Sequence, residues 1–407
     1  MKALTATDLT LILNGVLFAA LLAAVVLLIG RIRRQRGKLN QPTISAQIAF
    51  PFPQRQTSSA SHTLPSEPLE QQDQQVREAY QAWLADYLLP DAEAGRAFLR
   101  IGVDKNWLRY QVTTTSFGQA LAMLLCVLMA GEDPQAQSRF DRLLAFCLSH
   151  SSANAPDLMS WQVMPDVVPG RRLDADLNAE IWLAFALLAA QAQWGGSLRF
   201  NYGALARLRL AALLPLYQQT ARSASETIIY APYFYGLFAS VAGEPAWNTF
   251  TSLLGDHARA KQTADFLPFT AEGSAEEAKR ALSLLQAGVA VCWQAGFPQG
   301  KLPDGAQALA RDTTARFVQA DLLDETELNN EPAGLSPLGL LACCAPAVQS
   351  LQDQALLDQL WQGLSQAQPG RHDALGATLR LLALLQLSEN IWFERAPWKA
   401  LPALPED

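Results

Sequence analysis

The sequence predicts an all-α globular domain carried behind a single N-terminal membrane-spanning helix. Three observations lead there. Leu9 to Gly30 contains no charged residue. The rest of the chain repeats apolar runs of helical length, punctuated by Gly, Pro and Asn. Few stretches alternate with period two, so strands should be rare and short.

The N-terminal run would span roughly 33 Å as a helix at 1.5 Å per residue, enough to cross a hydrocarbon core of about 30 Å. Asn14 is its one strongly polar side chain. A cleavable signal peptide would need a basic start, a shorter apolar core and a small-residue cleavage site. Here the start is nearly neutral, and Arg31, Arg33, Arg34, Arg36 and Lys38 follow the run directly. The expectation is an uncleaved, single-pass anchor over residues 1–39 in a bacterial inner membrane. Basic flanks stay cytoplasmic. Five such residues follow the span and one precedes it, which puts the globular domain in the cytoplasm, the periplasm being the alternative.

Residues 40–72 are rich in Pro, Ser, Gln and Thr. Such a stretch has too little apolar surface to offset the entropy of ordering, and it reads as a flexible tether. The globular domain is expected over 73–395, with a C-terminal tail over 396–407.

Within the domain, Ala120 to Ala130 is a continuous apolar run. Ile181 to Ala192 is another, closed by Trp194 and the pair Gly195-Gly196. Leu205 to Tyr217, Tyr233 to Val241, Ala278 to Trp293, Gln354 to Leu364 and Ala374 to Leu387 continue the series. Long apolar runs mean helices buried on most sides. Roughly a dozen helices with long loops between them are expected.

Composition excludes several functions. The net charge is −7 and the pI near 5.3, whereas nucleic-acid binding needs clustered Lys and Arg. The basic run beside the span already has a membrane explanation. The five cysteines, Cys126, Cys147, Cys292, Cys343 and Cys344, are scattered and fit no metal spacing. They read as small buried hydrophobes. His62, His150, His257 and His372 are far apart, and there is no Gly-x-Ser-x-Gly elbow and no phosphate-cradling Gly-Lys-Ser/Thr loop. No metal or cofactor is expected.

Six segments, in order, resemble glycoside hydrolase family 8, the bacterial cellulase family. They are Ser116 to Met123 with Phe140 to Leu143; Leu158 to Trp161; Asn178 to Leu188 ending in Gln193-Trp194-Gly195; Tyr230 to Ala239 with Trp247; Leu302-Pro303-Asp304; and Glu331 to Leu338. The resemblance implies an (α/α)6 barrel, a six-hairpin toroid with a substrate groove at one end of six inner helices. It also implies inverting hydrolysis of a β-1,4-glycosidic bond. That chemistry needs a carboxylic acid to protonate the leaving oxygen and a carboxylate on the opposite face to activate water.

At the positions the resemblance assigns to this chemistry, the chain departs from the family. The acid falls on Phe117, which cannot carry a proton. The base falls on Pro332, with Leu335 where the family has arginine. Glu331 lies one position away, and a one-residue slip would bring it into play. The family's Asp-x-Asp pair, part of which positions sugar, corresponds to Asn178 and Glu180. A rival register uses Asp174 and Asp176 but needs an insertion. A third reading makes Asp174, Asp176 and Asn178 helix caps. Glu180 and Glu331 are the candidate substitutes for the missing carboxylates.

Sugar grooves are lined by aromatics because a pyranose offers an apolar face. Trp107, Tyr110, Trp161, Trp182, Tyr230 and Tyr233 lie in or near the matching segments, although aromatics at helical spacing are more often core. The candidate substrate-binding set is Trp161, Asn178, Glu180, Trp182, Tyr230 and Tyr233. The resemblance implies an exopolysaccharide system of the cellulose type, with a β-glucan or a polysaccharide synthase complex as partner. Three functions compete: an inactive member that binds glycan or a synthase; an active endo-β-1,4-glucanase using displaced carboxylates; and a cytoplasmic-face scaffold with its groove filled by side chains.

Overall fold

The computed structural model describes residues 48–54, 63–106, 109–164, 172–222, 231–251, 336–350 and 352–403. The predicted span at Leu9 to Gly30, the helix expected at Ala278 to Trp293, and Tyr230, Glu331 and Pro332 lie outside them. Among the described residues, no helix is long and apolar enough to cross a membrane.

Nine α-helices run through the described residues: α1 (Leu69–Tyr87), α2 (Ser116–Leu128), α3 (Ala136–Ser149), α4 (Leu177–Trp194), α5 (Tyr202–Arg222), α6 (Pro232–Ala242), α7 (Pro337–Ser350), α8 (Gln354–Gln366) and α9 (Ala374–Leu387). They sort into two layers by burial. Every residue of α2 is buried, and so are nearly all of α4 and α9. By contrast, α3 buries one face through Phe140, Leu143, Leu144, Phe146 and Cys147, and α8 does so through Leu356, Leu357, Leu360, Trp361 and Leu364. A helix apolar all round must sit inside, and one with a single apolar stripe sits outside it. Inner helices α2, α4, α7 and α9 therefore pack side by side, α9 against α2 and α2 against α4, with α1, α3, α5 and α8 around them. The first helix meets the last where Trp83 Nε1 donates to Thr378 Oγ1 at 2.8 Å. These nine helices form part of the double ring of an (α/α)6 barrel.

The ends of these helices follow the sequence closely. Thr115 caps α2 by accepting from the Gly118 amide at 3.1 Å. Asp176 caps α4. Gly195, at φ +74°, ends α4 in a conformation that costs a glycine little. The apolar-run criterion passes over α1, α3 and α7, the first two because an outer helix keeps a polar face. Strands are short: β1 (Leu88–Pro90) pairs antiparallel with β2 (Ala97–Leu99), and β3 (Gly102–Asn106), β4 (Arg109–Thr115) and β5 (Gln162–Val163) form a second small sheet.

Two stretches differ from their compositional reading. Residues 48–54, expected in the tether, dock on the barrel: Phe52 is 5% exposed, and α1 already begins at Leu69. Residues 396–403, read as part of a tail, also pack down, with Leu401 buried and its amide bonded to the Val241 carbonyl at 2.7 Å. Both stretches carry aromatic or leucine side chains that find core surface once the helices assemble.

Candidate functional site

Three of the segments that resemble the family motifs, those beginning at Ser116, Leu158 and Asn178, meet at the N-terminal ends of α2 and α4, whereas Leu302 to Asp304 and residues 331–335 lie outside the described residues. β4 runs straight into α2, so Thr115 belongs to both the sheet and the cap. The Ser116 amide donates to the Trp161 carbonyl at 3.0 Å, and the Trp161 amide donates to the Asp174 carbonyl at 3.1 Å. Trp161 is thereby held between the acid motif on one side and the approach to α4 on the other. Its side chain is half-buried, and Asp174 and Arg172 beside it are exposed.

Phe117 sits in the first turn of α2 and is 0% exposed. Its ring meets the Trp182 ring edge-on at 6.2 Å. Trp182 meets Phe234 of α6 at 4.9 Å, and Phe234 packs on Phe185 at 4.8 Å. Phe117 is therefore one end of a buried aromatic column that runs through Trp182 and Phe234 to Phe185. Ile101 closes over the same turn; a Cβ at Gly118 would stand 2.5 Å from its Cδ1.

Two candidate sugar contacts are corrected by this packing. Trp182 is wholly enclosed and faces the core, where its ring is worth more against Phe117 and Phe234 than against water. Glu180 is also 0% exposed, and its carboxylate accepts from the Met159 amide at 2.8 Å and is ion-paired with Arg209. Burial pushes the Glu180 carboxyl above its usual range; the Arg209 guanidinium and the Met159 amide, which favour the ionised form, offset part of that rise. A carboxylate clamped this way holds α4 to α5 and to the 158–160 segment. It has no side open to solvent.

Asp176 acts at the start of α4. Its Oδ1 accepts from the Asn178 amide at 3.0 Å and from the Ala179 amide at 3.3 Å, which is helix capping. Asn178 is 2% exposed in the first turn of α4. Tyr233 is half-buried, with its ring near Phe185 and Phe234. Of the aromatic candidates with described side chains, Trp161 is the one placed at the rim of the motif cluster. Sequence reasoning missed Arg209; the available signal was the pair of charges, Arg207 and Arg209, inside the largely apolar run from Leu205 to Tyr217.

An inner ring of buried helices and an outer amphipathic ring define a fold of the helical-barrel class. Residues 74–252, a little under half of the chain, match the model of glycosyl hydrolases family 8. Among curated relatives it is 30% identical over 165 residues to an endoglucanase of Bacillus sp. (strain KSM-330), and 30% identical over 167 residues to a beta-glucanase of Niallia circulans. These matches cover 40% and 39% of this chain but only 36% and 38% of the relatives. The fold matches the apo structure of a beta-1,3-1,4-glucanase from Paenibacillus sp. X4, with a TM-score of 0.63 and 19% identity over 85% of this chain and 100% of the other. It also matches a cold-adapted family 8 xylanase, with a TM-score of 0.62 and 17% identity over 89% and 99%.

Proposed function

We propose that this is a membrane-anchored family 8 protein of a bacterial exopolysaccharide system, catalytically inactive, that binds a β-glucan or a synthase partner instead of cleaving. The observation that carries the reading is Phe117: the position of the proton donor holds a hydrocarbon ring, fully enclosed against Trp182. Without a donor, the departing sugar leaves as an alkoxide, too basic to expel at useful rates near neutral pH. Loss of a general acid alone costs about 10²–10⁴ in rate. Proline at 332, where the resemblance places the base, removes water activation as well.

Binding outlives such losses because it needs shape and hydrogen bonds, not a proton donor. Trp161, half-buried at the motif cluster beside exposed Asp174 and Arg172, supplies one apolar platform flanked by polar groups. The N-terminal apolar run and its basic flank support the anchor, with the domain on the cytoplasmic side; a periplasmic domain is the alternative. The link to a cellulose-type system rests on analogy with the family.

The test uses the full-length protein in detergent. Electrophoresis in native gels containing mixed-linkage β-glucan reads binding, and reducing-sugar release from carboxymethylcellulose reads cleavage. Retardation that weakens in Trp161→Ala, without sugar release, is expected. Turnover by the wild type that disappears in Glu331→Gln would make it a working glucanase.

A further inference from the structure

The barrel end away from Phe117 is closed by two stretches of chain. Inner helices α2, α4 and α9 finish there, at Leu128, Trp194 and Leu387. Residues 388–403 cover part of that end, and residues 48–54 cross it as a strap. The Phe50 amide donates to Gln193 Oε1 at 2.7 Å. Gln193 Nε2 donates back to the Phe50 carbonyl at 2.8 Å and to the Val127 carbonyl at 2.9 Å. The Phe52 amide donates to the Ala130 carbonyl at 2.7 Å. The Phe50 ring stacks on Trp392 with centroids 4.2 Å apart. Gly131, at φ +98°, lets the strap approach: a Cβ there would lie 2.7 Å from the Pro51 Cβ.

We infer that this strap orients the domain on the membrane, fastening the N-terminal segment to the closed end so that the end carrying Trp161 and Asp174 faces away from the bilayer. The inference rests on the membrane anchor proposed above and adds to it a direction for the site. Helices α2 and α4 have 13 and 18 residues, so the two ends lie roughly 20–27 Å apart at 1.5 Å per residue.

The strap also shortens the leash. With it docked, residues 31–47 join the predicted span to the barrel, a reach of at most about 60 Å at 3.5 Å per residue. With it released, the connection lengthens to residues 31–62 and the reach to about 110 Å. A short leash from the closed end cannot easily pass around the barrel to present the other end to lipid. Gln193 bonds the strap through both ends of its amide, alongside the Phe52–Ala130 backbone bond and the Phe50–Trp392 stack.

Full-length protein reconstituted in vesicles tests the orientation. A genetically encoded fluorescent amino acid is placed at Lys399, exposed beside the last turns of α4, or at Arg172, exposed beside Asp174. Energy transfer to acceptors on the lipid headgroups is then measured. Transfer at least twofold stronger from 399 than from 172 is expected, and Gln193→Ala and Phe50→Ala should each at least halve that ratio. Equal transfer, stronger transfer from 172, or a ratio unchanged in both variants overturns the inference. Two controls separate the causes. Failure to co-sediment with vesicles removes the anchor and the orientation with it. Amide exchange at Phe50 and Phe52 in detergent reads the strap alone, and should accelerate at least tenfold in Gln193→Ala; fast exchange already in the wild type removes the strap while leaving the anchor.

Discussion

Glu180 and Arg209 form an ion pair in which both side chains are almost wholly enclosed, 0% and 3% exposed. The pair ties the first turn of α4 to α5, directly beneath the motif cluster. Two charges removed from water are tolerable only together: each offsets the desolvation of the other, and the Met159 amide satisfies a further lone pair.

Breaking that pair from one side should therefore be costly. Arg209→Met leaves a buried carboxylate without its cation and is expected to lose about 3–5 kcal/mol of stability. Glu180→Gln/Arg209→Met should recover a substantial part of the loss. Urea midpoints of the single and double variants check this, and strict additivity would show that the two groups do not interact.

The catalytic prediction concerns Phe117. Wild-type protein should release no reducing sugar from carboxymethylcellulose. Phe117→Glu should not restore activity, because water still lacks a base and because the new carboxyl would be placed among Trp182 and its aromatic neighbours. The same variant should lose about 3 kcal/mol or more, from lost ring packing and burial of a polar group. Activity in Phe117→Glu at wild-type stability would show that the position opens on a groove.

Asp373 gives a pH signature. It caps α9 by accepting from the Gly376 amide at 3.0 Å, and burial pushes its carboxyl from 3.8 up to about 6. Below pH 3.8 it is protonated whether the chain is folded or unfolded, and contributes nothing. Between pH 3.8 and 6 the unfolded chain gives up the proton while the folded protein retains it, so stability falls as pH rises. Above pH 6 the penalty is complete, about 3 kcal/mol at 1.36 kcal/mol per pKa unit. Asp373→Asn keeps the cap and removes the titration. Its advantage over wild type should grow between pH 4 and 6.5 and then level off; a constant difference across that range in urea denaturation would refute the assignment.

Asp176 offers a smaller effect. Asp176→Ala removes the acceptor for two amides at the start of α4 and should cost about 1 kcal/mol. Asp176→Asn should cost markedly less, since it keeps a capping oxygen. If Asp176 instead held sugar, Asp176→Ala would weaken glucan retardation in native gels without moving the denaturation midpoint.

What the sequence determined by itself is the layering. Runs such as Ile181 to Ala190 are apolar on every face, and Ala374 to Leu387 on most of its surface, and a helix of that kind has nowhere to go but the inside of a helical assembly. The ends of the first were equally legible, because Asp176 and Gly195 act on backbone groups within a few residues of themselves. The absence of a carboxylate at Phe117 was also visible, since a motif position is a local property.

Tertiary structure alone decided which side chains face one another. Trp182 and Trp161 carry the same ring and both lie in motif segments, yet Trp182 is enclosed by Phe117 and Phe234 while Trp161 reaches the rim. Glu180 became a structural ion-pair partner only because α5 brings Arg209, 29 residues further along, against it. Residues 48–54 became a strap only because Gln193, Ala130 and Trp392, distant in the chain, form one surface at the closed end. Composition reports how much apolar surface a segment carries, whereas docking depends on a complementary surface that exists only after the helices have packed.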